Sequence, residues 1–441
     1  MNKIRIKEFI LKNTIFKNRL QLLIEKKSLY RATTKPKHIH KYQLDKFNNI
    51  WIKAHSDIPF YKMWMQKHNL PEKIHSIDEL KNFPTLTKKD IQSNYDLIFD
   101  HLHGYKVIST GGSTGEPTKF PTSLKEQEEI YASVYLARSW WGINPLDDML
   151  MLWGHSHLFG AGVKGKINQI RRWLADWLIN TQRLNAYDMS IEKIEKHYVK
   201  VRMSNPKSII GYASSIYRLA KYIDDNNLSL GNKSNLKGVV VTSETATKLD
   251  IKLIEKVFKV SCINEYGMAE AGVISYSKTT QNNIMILWDM FIATKGENNI
   301  LNITSLYDKK FPLINYKTND AIDILESYGS SVLKIKSIDG RRNDEIVLLI
   351  NEVEVEVHSE IFTHIIKSIN GIIDFRVVQN KNLSIDIYID TQDIVKIQKK
   401  FYKNLSLEFN SFNKQQFNFH YRRDMPLTIA GKTKWISREL V

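Results

Sequence analysis

The chain reads as an α/β protein, a large layered domain followed by a smaller α+β domain, and three observations carry that reading. Short buried-type strands at Ser208 to Ile210, Gly238 to Thr242 and Ser261 to Ile263 alternate with helical patterns near 213–226 and 245–258, the order of a layered α/β sheet. The 441 residues exceed what one ordinary core holds. After about residue 340 the order changes to strand, helix, two strands, helix and strand, which is ferredoxin-like. The expected segments are a basic N-terminal stretch over 1–42, a large domain over 43–340 and a small domain over 341–441.

The N-terminal stretch carries much of the charge. Residues 1–41 hold twelve Lys or Arg against two Glu, and the whole chain has a formal net charge of +17. Ile4, Ile6, Phe9, Ile10, Phe16, Leu20, Leu23 and Ile24 recur there at near-helical spacing. A helix docking its apolar face on the body of the protein is the preferred reading. A helix lying on an anionic membrane surface is the other, with peripheral contact at the inner face. Nucleic acid is not expected, because the basic residues are not interleaved with a recognisable binding module. No run of eighteen apolar residues exists, no secretory leader is read, and Cys262 as the one cysteine excludes a disulfide framework. A cytoplasmic location follows.

Residues 43–68 read as helical, with a break at Ile58-Pro59 where proline cannot continue the hydrogen-bond ladder. Ser76-Ile77-Asp78-Glu79 and Thr87-Lys88-Lys89-Asp90 read as capping boxes. Next comes Ser109-Thr110-Gly111-Gly112-Ser113-Thr114-Gly115-Glu116-Pro117-Thr118-Lys119, in which eight of eleven residues are Ser, Thr or Gly. Small side chains and free backbone N–H groups suit a phosphate chain. No Gly-Lys pair follows at P-loop spacing, so Walker-type binding is excluded. Gly111 to Gly115 also fits Gly-x-Ser-x-Gly, but Pro117 and Pro121 prevent a helix from starting after Ser113, as a hydrolase elbow requires. A serine hydrolase is therefore a minor reading.

The glycine-rich stretch resembles the phosphate loop of the adenylate-forming superfamily, specifically the phenylacetate-coenzyme A ligase family and its branch in capsular polysaccharide gene clusters. Ile58-Pro59-Phe60-Tyr61 and Phe83-Pro84-Thr85-Leu86-Thr87-Lys88 are similar to that family's N-terminal signature. Gly211-Tyr212-Ala213-Ser214-Ser215 and Thr242-Ser243-Glu244 look like its turn segments. Asn264-Glu265-Tyr266-Gly267-Met268-Ala269-Glu270 resembles Tyr-Gly-x-Ser/Thr-Glu, with Ala269 as the departure. Asn315-Tyr316-Lys317-Thr318-Asn319-Asp320 resembles Tyr-Arg-Thr-Gly-Asp, departing at Lys317 and Asn319. Gly340-Arg341-Arg342-Asn343-Asp344 is similar to the interdomain hinge, with Asn343 where Asp or Lys is usual. Pro426-Leu427-Thr428-Ile429-Ala430-Gly431-Lys432 matches Pro-x-Thr-x-x-Gly-Lys.

The resemblance implies a large adenylation domain, a C-terminal lid hinged near Asn343, and an AMP-forming ligase that uses ATP and Mg²⁺. Ser109, Thr110, Gly111, Ser113, Thr114 and Lys119 would handle the phosphates, and Glu270 the metal. Tyr266 would stack on the adenine, Gly267 would permit close backbone approach, and Asp320 with Arg341 would hold the ribose. Ser243, Glu244 and Glu265 are further expected nucleotide contacts. Trp153, His155, His157, Tyr212 and Ala269 would border the acyl pocket. A metal reading of His155-Ser156-His157 lacks a third ligand nearby. Lys432 would neutralise charge between the substrate carboxylate and the α-phosphate.

The second substrate is read from the strand after the hinge. Relatives place a glycine there to line a coenzyme A tunnel, whereas Leu349-Ile350-Asn351-Glu352-Val353 has none, and Glu352, Glu354 and Glu356 would oppose an anionic cofactor. The expectation is activation of a carboxylic acid and transfer to an amine or hydroxyl in surface polysaccharide assembly. An acyl-coenzyme A ligase with a thiol acceptor is the alternative, and a catalytically silent scaffold is the third class.

Overall fold

The structure is a computed structural model and describes residues 15–110, 118–153, 162–186, 191–231, 234–341, 345–350, 353–358, 369–409, 411–423 and 436–438, with a few isolated positions besides. It divides into two compact units, one formed by 1–245 with 254–339 and the other by 246–253 with 340–441.

The first unit opens with helices Ile15–Ala32, Pro36–Asp57 and Pro59–His68. Pro36 and Pro59 each stand in a first turn, where the missing N–H costs nothing. The expected break at Ile58 is present, with Ile58 extended between two helices. Helix Ile15–Ala32 docks through part of the expected stripe, with Ile24 exposed, while Ile4, Ile6, Phe9 and Ile10 lie outside the described residues. Phe16 and Leu23 are buried, Phe16 meets Tyr135 at 6.0 Å, and Arg19 lies 4.0 Å over the Tyr131 ring. Lys26 is buried with its ammonium 2.6 Å from Asp289 and 3.2 Å from Glu129. Both capping boxes form, at Ser76 with Glu79 and at Thr87 with Asp90.

Strands β1 (Lys106–Ser109) and β2 (Lys119–Thr122) pair as an antiparallel hairpin with Ser109 opposite Lys119. The main sheet contains β3 (Met149–Trp153), β4 (Thr181–Asn185), β5 (Ser208–Tyr212), β6 (Gly238–Thr242), β7 (Cys262–Met268), β8 (Gly272–Lys278), β9 (Thr280–Ile286), β10 (Phe291–Lys295), β11 (Ile300–Ser305), β12 (Tyr316–Tyr328) and β13 (Ser331–Arg341). Their order is β10-β11-β12-β13-β9-β8-β7-β6-β5-β3-β4. Strands β3 to β7 run parallel and carry the alternating helices Gly162–Leu178, Ile191–Ser204, Ala213–Asp225 and Lys248–Phe258. From β7 onward β7–β8, β8–β9, β9–β13, β10–β11 and β11–β12 pair antiparallel. β5 and β6 are buried along their length, as expected for parallel strands covered on both faces. Cys262 begins β7 with no exposed surface.

In the second unit, β14 (Glu345–Ile350) and β15 (Val353–His358) form a hairpin. β16 (Ile372–Gln379), β17 (Ile385–Thr391), β18 (Phe417–Tyr421) and β19 (Ile436–Arg438) form a sheet in the order β18-β17-β16-β19. Helix Ile394–Glu408, capped by Asp393, packs on it through Ile397, Phe401 and Leu405. This is the mixed α/β class expected.

Candidate active site

Trp153, Tyr212, Ser243, Glu244, Glu265 and Tyr266 lie at the carboxyl ends of the parallel strands, where open α/β sheets bind ligands. Trp153 ends β3 and Tyr212 ends β5. The neighbouring strands bring their rings together at 4.6 Å between centroids, tilted by 38°. Ser243 follows β6 with φ +68°, a left-handed conformation that costs a non-glycine residue energy and is common at functional turns. Glu244 turns back and accepts the Ser214 N–H at 2.9 Å, in the first turn of helix Ala213–Asp225. Its nearest task is to fix the turn that carries Tyr212.

β7 and β12 supply the centre of the site through one spacing used twice. β7 and the turn after it carry Tyr266 and Glu270, and β12 carries Tyr316 and Asp320. The Tyr266 hydroxyl donates to Asp320 Oδ2 at 2.6 Å, and the Tyr316 hydroxyl donates to Glu270 Oε1 at 2.7 Å. Each tyrosine thus orients the carboxylate of the other segment. Both partners of the first bond sit at irregularities in the ladder. Register slips between Tyr266 and Gly267, and β12 carries extra residues between Lys317 and Ala321 opposite β11. Such bulges re-aim side chains.

Asn319 lies in the β12 bulge with φ +65°. This is a left-handed backbone, which asparagine tolerates better than most residues. Gly267 is a point of close backbone approach. A Cβ there would stand 2.4 Å from the Gly272 carbonyl oxygen, so β8 is the backbone that approaches. Glu265 is also held from within: Arg138 donates to its Oε2 at 3.3 Å and to the Tyr276 hydroxyl. Burial lowers the Arg138 pKa, but Tyr276 and Glu265 outweigh it and push the value up. Ala269 is exposed in the turn that leads to Glu270.

The phosphate segment stands on the β1–β2 hairpin. Thr110 and Thr118 clasp its neck, Thr110 N–H donating to the Thr118 carbonyl at 3.0 Å and Thr118 N–H to Thr110 Oγ1 at 3.1 Å. Gln92 Nε2 donates to Thr118 Oγ1 at 2.9 Å, and Lys119 N–H to the Tyr95 hydroxyl at 2.9 Å. Ser109 and Lys119 flank the neck, whereas Gly111, Ser113 and Thr114 lie outside the described residues. The Gly-x-Ser-x-Gly pattern therefore falls between two strands of a hairpin, without the strand-to-helix context a hydrolase elbow needs.

Two routes tie this hairpin to Glu270. Phe120 on β2 meets the Tyr316 ring edge-on at 6.4 Å. Thr122 donates to Glu126 at 3.3 Å, and buried Lys309 donates to Glu126 Oε2 at 3.1 Å and to the Glu270 carbonyl at 3.0 Å. Burial lowers the Lys309 pKa, but Tyr307 and Glu126 outweigh it and raise the value.

Sequence reasoning missed Lys88, Tyr316 and Lys309. Lys88 places its ammonium 3.4 Å from Glu270 Oε1, and its only sequence signal was the family segment that ends on it. A single buried carboxylate oxygen donor suits Mg²⁺, which is held chiefly by phosphates and water. His155, His157, Asn343 and Lys432 lie outside the described residues, as does the Arg341 side chain.

No family model matches the chain. Protein CapK of Staphylococcus aureus is 26% identical over 411 residues, covering 90% of this chain and 88% of that protein. Phenylacetate-coenzyme A ligase of Escherichia coli (strain K12) is 22% identical over 315 residues, covering 67% and 69%. Among solved structures, 2-hydroxyisobutyryl-CoA ligase in its postadenylation state with R3-HIB-AMP superposes with a TM-score of 0.67 at 13% identity, covering 92% of this chain and 89% of that one. Sheet, strand-end residues and relatives together define the class of AMP-forming ligases. Within it, the chain is similar to CapK and to the phenylacetate-coenzyme A ligases.

Proposed function

We propose that the protein activates a carboxylic acid with ATP and passes the acyl group to an amine or hydroxyl in surface polysaccharide assembly. The observation that carries the adenylation step is the paired tyrosine–carboxylate arrangement of Tyr266 with Asp320 and Tyr316 with Glu270, beside the hairpin that presents the phosphate segment. The substrate carboxylate oxygen bonds to the α-phosphorus of ATP as the bridging bond to the β-phosphate breaks, and pyrophosphate leaves. The acceptor then attacks the acyl carbon, AMP departs, and the acceptor proton passes to solvent.

Asp320, oriented by Tyr266, accepts the ribose hydroxyls, and Tyr266 presents its ring to the base. Ser109, Thr110 and Lys119, with Gly111, Ser113 and Thr114, receive the β- and γ-phosphates. Glu270 would hold Mg²⁺, which would supply positive charge to offset that of the phosphates. Lys88 shares the Glu270 oxygen and offsets part of its charge. Trp153, Tyr212, Ala269, His155 and His157 shape the acyl pocket. Arg341 adds a ribose contact, and Lys432 meets the reacting carboxylate as negative charge develops.

Pyrophosphate exchange into ATP that depends on one acid from a panel of amino, uronic and aryl acids tests the first step. Lys432→Ala should reduce it by about a thousandfold, the scale of removing an oriented charge from a transition state. Exchange that survives in Lys432→Ala, or ester hydrolysis without ATP that Ser113→Ala abolishes, would sink this reading. The names of the phenylacetate-coenzyme A ligase relatives favour a second reading with a thiol acceptor. Glu354, exposed on β15 opposite Leu349, supports the amine or hydroxyl instead. Mass spectrometry of products formed with coenzyme A and with amino sugars separates the two.

A further inference from the structure

Helix Gly162–Leu178 is amphipathic in an inverted sense. Ile167, Ile170 and Leu174 share one face at spacings of three and four, and Trp173 borders it. All four are exposed, at 49%, 58%, 49% and 65%. Asp176 is the buried residue among those described in this helix, and it accepts two hydrogen bonds from Arg183 on β4, at 2.6 and 3.0 Å. A surface helix of a free-standing protein turns its apolar stripe to the core and its charges to water. Here the stripe faces outward.

Cations surround the stripe. Lys166, Arg171 and Arg172 are exposed within one and a half turns of it, in a chain whose formal net charge is +17. An apolar face with tryptophan at its edge and lysine or arginine beside it matches a helix that lies in the boundary of a lipid layer. A protein partner fits less well. Four side chains of one helix offer far less than the roughly 800 Å² per partner of a stable interface. The centres of such interfaces are also depleted in charge.

We infer that this helix docks the protein peripherally on an anionic lipid surface. Ile170, Leu174 and Trp173 enter at the headgroup level, and Lys166 and Arg171 meet the lipid anions. No helix among the described residues is long and apolar enough to cross a membrane. The contact assigned here uses a different element from helix Ile15–Ala32, where Phe16 packs on Tyr135 and Lys26 pairs with Asp289.

Co-sedimentation of the full chain with vesicles tests the inference, using phosphatidylcholine alone or mixed with phosphatidylglycerol. Binding should require the anionic lipid and weaken with salt. The double substitution Ile170→Glu with Leu174→Glu should lower the partition coefficient by about tenfold or more. Lys166→Gln and Arg171→Gln should each lower it by roughly fivefold. Replacing Lys3, Arg5, Lys7 and Lys12 by Gln should leave most binding intact. A melting curve matching the parent verifies the fold of the double variant, and Leu174→Gln replaces it if that fails. Vesicle binding unchanged in the helix variants, or lost only in the N-terminal variant, would overturn the inference. So would a parent dimer that Ile170→Glu with Leu174→Glu splits, which would assign the helix to a second copy.

Discussion

Two tyrosines set two carboxylates, and the scale of a single hydrogen bond predicts what losing one does. A bond to a charged group contributes about 1.5–3 kcal/mol, so Tyr266→Phe should raise the KM for ATP about tenfold or more in pyrophosphate exchange. A variant with unchanged KM would remove Tyr266 from the orienting role. Asn319 predicts the opposite kind of result. With φ at +65°, Asn319→Gly should change stability by about 0.5 kcal/mol or less, whereas Asn319→Val should destabilise by about 1–2 kcal/mol in urea titration. The departure from glycine was visible in the sequence, and its physical sense emerged only with the backbone angle. Tyr316 shows the reverse gap. Its four-residue spacing to Asp320 repeats that of Tyr266 to Glu270, but no local rule announces that the two segments exchange partners across the sheet. Lys88 reaches Glu270 from 182 positions away in sequence, a distance no motif bridges.

At the scale of elements, the hairpin, the helix Leu124–Ser139 and the turn at Glu270 are joined by the buried Glu126–Lys309 pair. Removing one member leaves an uncompensated charge, so Lys309→Met should cost about 3–5 kcal/mol by denaturant titration. Pairing it with Glu126→Gln should recover part of that loss, and a double variant no better than Lys309→Met would show the pair uncoupled. The parallel strands were legible because continuous apolar runs such as Gly238–Thr242 allow little else. The antiparallel half was not. β12 mixes exposed and buried positions along its length, and the order of β8 to β13 depends on pairing between segments far apart in the chain. Gly267 illustrates the same limit, since only the position of β8 reveals what its missing side chain makes room for.

At the scale of the molecule, buried ammonium groups predict alkaline sensitivity. Burial lowers the pKa of Lys26, but Asp289 and Glu129 outweigh it and raise the value above 10.5; Lys309 behaves likewise beside Tyr307 and Glu126. A raised folded-state value means the stabilisation is complete below pH 10.5 and is lost as pH climbs through the folded-state pKa. Melting temperature should therefore hold up to about pH 10 and fall above it, the fall reduced in a Lys26→Met variant; an equal fall in both would exclude Lys26 as its source. The charge-rich N-terminus was foreseeable as a helix, and its docking followed from the one stripe of Phe16, Leu23 and Lys26. Cys262 has a practical corollary. The chain's sole native thiol sits fully enclosed at the start of β7, so maleimide dyes have no native target on the folded protein. Cysteines introduced at exposed Lys67 and Lys399, one in each compact unit, would be the only labelled positions. Energy transfer between them would then report directly on relative motion during turnover, with no background mutagenesis.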